Sequence, residues 1–259
     1  MDKFLEYLKL NYNSLKTIKS YYQQVNTFNN YCNGDINQEN LNNYLLKWKE
    51  EGKSNATFNA FKIAMIAYSK FTGQEFEFPK WKKTQRQKIE YYFTEKQLPT
   101  LLKYFYREKD LVLRFMFYTG ARPSEVINLK VSDINFETKD IVFYNAKGNK
   151  DRVVPILNDQ LCEDLQTHCE KKSDKVFPFS YQQIQMMFKK IQKQMNLTNE
   201  VIEPRTMRRS FAKYCLSKGM DISYLQKVMG HTDIKTTEIY AEPDKKMIKE
   251  FCEKIRNEK

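Results

Sequence analysis

Apolar residues recur every three or four positions through most of this chain, and only around Asp140–Ile156 does the period shorten to two. The first spacing covers one face of a helix, and the second covers one face of a strand. Asp140-Ile-Val-Phe-Tyr144 and Arg152-Val-Val-Pro-Ile156 read as two strands, joined by the turn-rich Asn145-Ala-Lys-Gly-Asn-Lys-Asp151. The rest predicts helices. With 7 Gly and 7 Pro in 259 residues, little of the chain is left for long loops. The expected class is mostly α with a small antiparallel β-hairpin or sheet (α+β) in the C-terminal part.

The helical pattern divides in two. Over residues 1–80 helices are expected near the N-terminus and at about 14–31, 41–49 and 55–72, with Gly73 as a stop. Trp81–Phe93 then has almost no apolar period and carries Lys82, Lys83, Arg86 and Lys88 against Glu90. It reads as a basic interdomain linker, and equally as a solvated hinge on charge alone. Thr94-Glu-Lys-Gln97 is a capping-box signal that opens a second domain, 94–259. There helices are expected at about 94–105, 107–119, 123–129, 158–171, 180–195, 204–218 and 221–229.

The formal net charge is +12, which suits a polyanionic partner, nucleic acid before membrane, and equally suits a lysine-rich solvated surface. No apolar run reaches the roughly 18 residues that span a bilayer, and the start of the chain has no secretory pattern, so a cytoplasmic protein is expected. The five cysteines include no CxxC pair, and the spacing of Cys162, His168 and Cys169 fits no common zinc motif. Neither a metal nor another cofactor is expected.

Four stretches carry candidate chemistry. In TGARPSEVINLK, Arg122 stands at a helix entrance beside Gly120, where a cation opposes the helix dipole, and Glu125 lies three residues on, within reach of it. In EPRTMRRSFAKYCLSKG, Arg205, Arg208 and Arg209 fall near one helix face; their mutual repulsion is relieved if an anion such as a phosphodiester sits among them, although a solvated basic face has the same pattern. The hairpin tip offers Lys147 and Lys150. In GHTDIKTTEIYAE, His231 and Tyr240 would be about 13 Å apart along one straight helix. The Thr236-Thr237 pair, weak in helix propensity, suggests a break that brings the tyrosine back.

Arg122 in TGARPSE, Lys147 in AKGNKDRVVP, Arg208 in RRSFA, His231 after Gly230, and Tyr240 nine residues later resemble the tyrosine recombinases in identity, order and spacing, the Xer and phage-integrase branch above all. The resemblance is strong over about residues 94–242. Over 1–80 it extends only to a helical, SAM-like core-binding domain of suitable size. Two positions depart from it: Arg205 stands where many members have His or Lys, and Arg209 where His is frequent. Arginine holds its proton to above about pH 12, so a proton-donating role does not carry over to Arg205.

The resemblance implies a two-domain DNA clamp that cuts and rejoins double-stranded DNA through a 3′-phosphotyrosine, without ATP or metal. Tyr240 would attack, Arg122 and Arg208 would hold the phosphate, His231 would assist, and Lys147 would protonate the departing 5′ oxygen. Lys82, Lys83, Arg86, Lys88 and Arg209 would lie along DNA. Met247, Ile248, Phe251 and Ile255 in the tail would dock on a neighbour in a cyclic tetramer, or on their own domain. Two rival readings remain: a helix-turn-helix DNA-binding protein without catalysis, and a monomeric topoisomerase-like relaxer.

Overall fold

A computed structural model describes residues 1–81, 91–146, 150–172, 174–241 and Arg256. The chain divides into two compact units, residues 1–88 and 89–259. Lys82, Lys83, Arg86, Lys88, Lys147 and the apolar tail positions lie outside the described residues.

Among its described residues the first unit holds four helices: α1 (Asp2–Asn11), α2 (Leu15–Tyr31), α3 (Gln38–Glu50) and α4 (Asn55–Thr72). Each of the last three begins where a short polar side chain accepts a backbone N–H: Ser14 from Thr17, Asn37 from Asn40, and Ser54 from Thr57. Gly73 ends α4 at φ 74°, a backbone that disfavours other residues. The helices close over Phe4, Leu8, Val25, Phe28, Leu41, Phe61 and Met65, all fully buried. Burying each such side chain contributes about 1.5–3 kcal/mol. Trp81 stacks on Phe58 with ring centroids 4.5 Å apart, so this unit's packing extends to Trp81.

The second unit opens with the capping box: Gln97 Oε1 accepts from the Thr94 N–H at 3.0 Å. The single helix expected over 94–105 is instead a 3-10 turn, Glu95–Gln97, and a short helix, α5 (Leu98–Leu102). It stops early because the chain must deliver Phe105 into the core and reverse at Arg107, whose φ is +53°. The central helix, α6 (Glu108–Thr119), is buried at every position from Leu111 to Thr119 except Arg114. Phe115 meets Phe177 edge-on at 5.3 Å.

After α7 (Pro123–Asn128) the chain forms a three-stranded antiparallel sheet of β1 (Ile134–Asn135), β2 (Asp140–Ala146) and β3 (Lys150–Pro155), in that order. Strand β1 adds to the expected hairpin; two residues are too few to display a period. Ile141 pairs with Val154 and Phe143 with Arg152, which fixes the buried phase of the sheet. Among the described residues five helices follow: α8 (Asp159–Cys169), α9 (Tyr181–Gln194), α10 (Pro204–Ser217), α11 (Ile222–Met229) and α12 (Lys235–Ala241). Helix α10 packs against α6, α11 and α12. The architecture is mostly helical with one small antiparallel sheet. Among the described residues no helix is long and apolar enough to cross a membrane.

Candidate active site

Helix α6 ends at Gly120, in the left-handed region at φ 61°. A Cβ there would lie 2.4 Å from the Phe211 ring, so only glycine lets α10 approach so closely. The turn aims Arg122 at the C-terminal end of α11. Glu125, one turn into α7, fixes it twice: Oε2 accepts from the Arg122 backbone N–H, and Oε1 from Arg122 Nη1, each at 2.6 Å.

The end of α11 organises the site. Its last carbonyls lack partners within the helix and carry the negative end of its dipole. The chain meets two of them: Gln226 O accepts from the His231 N–H at 3.1 Å and Lys227 O from the Gly230 N–H at 3.0 Å. Arginines from three other elements meet the rest. Arg152 on β3 donates to Val228 O, and Arg208 on α10 donates to Met229 O. Arg122 Nη2 donates to Met229 O at 3.2 Å and lies 3.4 Å from Gly230 O. Arg208 Nη1 also donates to Gly120 O at 2.7 Å, which ties the ends of α6 and α11 together.

Three guanidiniums thus surround one carboxylate. Burial pushes the Glu125 carboxyl up, but Arg152 and Arg122 more than offset this and hold it below the ordinary range. Burial, followed by repulsion from Arg122 and Arg152, brings the Arg208 guanidinium down to about 9, still protonated at neutral pH. The cluster Arg122, Glu125, Arg152 and Arg208 therefore carries more positive than negative charge. A preorganised, partly desolvated cation pair of this kind stabilises an anion strongly, and most of all one that gains charge during reaction.

His231 follows Gly230 directly. Its Nε2 lies 3.2 Å from Arg208 Nη2 and its Nδ1 lies 2.9 Å from Thr237 Oγ1. The Tyr240 ring stacks on the imidazole with centroids 6.3 Å apart, and its phenol is within electrostatic reach of Arg208. The chain reverses at Gly230–Ile234, where Asp233 Oδ1 accepts from the Lys235 N–H at 3.0 Å and starts α12. Thr236 and Thr237 lie inside that helix, which corrects the expected break there.

The structure brings Arg122, Glu125, Arg208, His231 and Tyr240 together. It does not bring Arg205 and Arg209 with them. Arg205 is exposed, while Arg209 Nη1 donates to Tyr91 O at 2.7 Å, beside the point where the Phe93 N–H donates to Ser210 Oγ. The expected shared face is corrected: Pro204, Thr206 and Met207 bury their side of α10 and carry Arg208 inward with them. Two residues not assigned from sequence join the site, Arg152 and Thr237. Among the described residues no group of three or more His, Cys, Asp or Glu is placed to hold a metal ion.

Residues 91–247 match the family described as "Phage integrase family", and residues 1–75 match "Phage integrase, N-terminal SAM-like domain". The chain is 30% identical to the tyrosine recombinase XerA of Pyrococcus horikoshii, across 99% of this chain and 93% of that protein. Its fold is similar to the Tn1549 transposon integrase solved with transposon right-end DNA, with TM-score 0.71, 17% identity and 98% of each chain covered. It is also similar to the XerH recombinase bound to its difH substrate, with TM-score 0.70, 20% identity, and 92% of this chain and 79% of that one covered.

Proposed function

Because the chain belongs to the phage integrase family and is a tyrosine recombinase of the Xer-like branch, we propose that it cuts and rejoins double-stranded DNA at specific sites through Tyr240. The observation that carries this reading is the meeting of Arg122 and Arg208 on the Met229 carbonyl, with Tyr240 stacked on the adjacent His231. Two donors from distant parts of the chain converge where the phenol is close by.

In this reading the scissile phosphate enters the arginine pair and accepts bidentate hydrogen bonds from it. The Tyr240 oxygen forms a bond to phosphorus, the bond from phosphorus to the 5′ oxygen breaks, and the phenol proton leaves. Charge gathers on the non-bridging oxygens in the transition state, where Arg122 and Arg208 already stand. Lys147, from the tip between β2 and β3, supplies the proton to the 5′ oxygen. The product is a 3′-phosphotyrosine and a free 5′ hydroxyl; attack by a 5′ hydroxyl on the phosphotyrosine reverses the step and completes exchange. One phosphoester replaces another, so ATP is not consumed.

Residues 1–80 serve as the helical DNA-binding module, 81–93 as the basic connection, and 94–259 as the catalytic domain, and the two domains clamp the duplex. The tail links copies of the chain into a cyclic tetramer on two duplexes. The relatives' names support action on DNA: XerH was solved bound to its difH substrate, and Tn1549 integrase with transposon right-end DNA. Resolution of DNA dimers and integration or excision of a mobile element use the same steps. Action on DNA agrees with a cytoplasmic location.

The test is covalent capture. Recovering and sequencing the DNA attached to Tyr240 in cells gives the site. A nicked duplex carrying that sequence should yield a denaturant-resistant protein–DNA adduct with the wild type, and none with Tyr240→Phe, which should still bind the duplex. An adduct that persists in Tyr240→Phe would move the nucleophile elsewhere.

A further inference from the structure

Arg152 reaches the site from β3, behind the arginine that faces outward. Its side chain is 4% exposed and that of Glu125 8%, whereas the Arg122 side chain is 20% exposed. Arg152 pairs with the carboxylate side-on: Nη2 donates to Oε2 at 2.7 Å and Nε to Oε1 at 3.3 Å. Arg122 gives the same carboxylate one guanidinium bond, from Nη1, and one from its backbone N–H. Burial pushes the Glu125 carboxyl up, and Arg152 does more than Arg122 to bring it down.

Packing alone does not call for a charge at position 152. The side chain lies over the Phe143 ring in the inward phase of Val154, where an apolar residue would fit, and apolar replacements of buried ion pairs are often neutral or stabilising. The fold nevertheless makes room for the long side chain: a Cβ on Gly230 would lie 2.7 Å from Arg152 Cδ. Glu125 supplies the reason for the charge. A carboxylate orients Arg122 well, but unbalanced it would cancel much of the field that Arg122 presents to an anion. We propose that Arg152 is a positioning residue whose guanidinium balances Glu125, so that Glu125 orients Arg122 without neutralising it. This rests on the reading in which Arg122 and Arg208 bind the scissile phosphate. With a neutral side chain at 152, Glu125 pairs with Arg122 alone, and the charge that gathers on the phosphate during attack is held less strongly. Arg152 acts through Glu125 and not on the phosphate itself.

Arg152 also donates to Val228 O, so a plain cap for α11 is the competing account. Arg152→Gln separates the two, because glutamine is neutral yet can still donate to that carbonyl. On the nicked duplex built from the captured sequence, single-turnover adduct formation should slow about tenfold or more in Arg152→Gln, as for loss of a group that orients a functional side chain. Duplex affinity should change little, since it is spread over many phosphates. Adding Glu125→Gln to Arg152→Gln removes the unbalanced carboxylate and should restore a large part of the rate. Arg152→Lys, which keeps the charge, should stay within a few-fold of the wild type. Without DNA, the ¹³C carboxyl signal of Glu125 in the full-length protein, identified by its loss in Glu125→Gln, should titrate at higher pH in Arg152→Gln than in the wild type. An unmoved titration would overturn the proposal. So would wild-type cleavage by Arg152→Gln, or a double variant no faster than Arg152→Gln. Should Arg152→Gln fail to fold, Arg152→Lys decides alone, and a loss of about tenfold or more in that variant would overturn the proposal. A wild type that forms no adduct would instead overturn the recombinase reading, and the titration would still decide whether Arg152 balances the carboxylate.

Discussion

Glu125 Oε2 lies 2.7 Å from Arg152 Nη2, and both side chains are more than nine-tenths buried, at 8% and 4% exposure. The same carboxylate accepts from Arg122, so it is shared by two of the three guanidiniums at the end of α11. Removing it leaves those charges buried and uncompensated. Glu125→Gln should cost about 3–5 kcal/mol, the range for breaking a buried pair from one side. Chemical denaturation of the DNA-free protein measures it.

The pH dependence of that loss has a definite sign. The Glu125 carboxyl is held below its ordinary value of 4.5 in the folded protein. Its contribution is complete above that value and disappears as pH falls through the lower, folded one. The stability gap between wild type and Glu125→Gln should therefore be widest near neutrality and narrow as pH falls below 4.5. A gap independent of pH would mean that shape, rather than charge, is what the glutamine fails to supply.

Arg152 is coupled to Glu125 and also donates to Val228 O and lies over the Phe143 ring at 4.7 Å. Arg152→Met should destabilise strongly alone. In the double variant with Glu125→Gln the two losses should fall short of their sum by about 1–3 kcal/mol, since residues in one ion-pair network do not act independently. Additive losses would separate Arg152 from the carboxylate and leave it a purely local support of β3.

Most of the expected helices were legible because their signals are local, although α3 starts at Gln38 rather than near 41 and the helix expected over 94–105 divides. Ser14, Asn37, Ser54 and the Thr94–Gln97 box each act within four residues. The residues of the arginine cluster were legible only through resemblance, since Arg122 and Arg208 meet across 86 positions of chain on a carbonyl belonging to a third element. Arg152 did carry a signal. It shares the inward phase of β3 with Val154, while Val153 between them is 56% exposed, and a charge in that phase demands a buried partner. The α12 turn was misread because two threonines outweighed Asp233, whose side chain caps the helix. A break at Thr236 and Thr237 also hid the contact of Thr237 with His231. Propensity ranks residues in isolation, whereas this threonine is kept in its helix by a bond to another side chain.

Gly120 joins two demands that no other residue meets: φ is +61°, and a Cβ would lie 2.4 Å from Phe211. Gly120→Ala should lower stability by about 1–3 kcal/mol, from overpacking on top of the left-handed backbone. It should also cut the rate of adduct formation more than DNA affinity, because the displaced turn carries both Arg122 and the carbonyl that receives Arg208. Equal losses in rate and affinity would point to a general loosening of the domain.

Arg205 is exposed on α10, apart from the buried guanidiniums. A guanidinium is a fixed cation and a poor proton donor near neutrality. If it touches DNA at all it does so as a fixed charge. Arg205→Ala should weaken binding about evenly across sequences and reduce the salt dependence of affinity by about one phosphate contact. The pH profile of cleavage should keep its shape, since no titrating group has been removed. Arg205→His tests the same point from the other side. Histidine at this position titrates near neutrality, so if the position serves as a proton donor the variant should gain a new limb in the profile. A profile that changes in Arg205→Ala itself would assign the arginine a part in the proton transfer that its chemistry otherwise denies it.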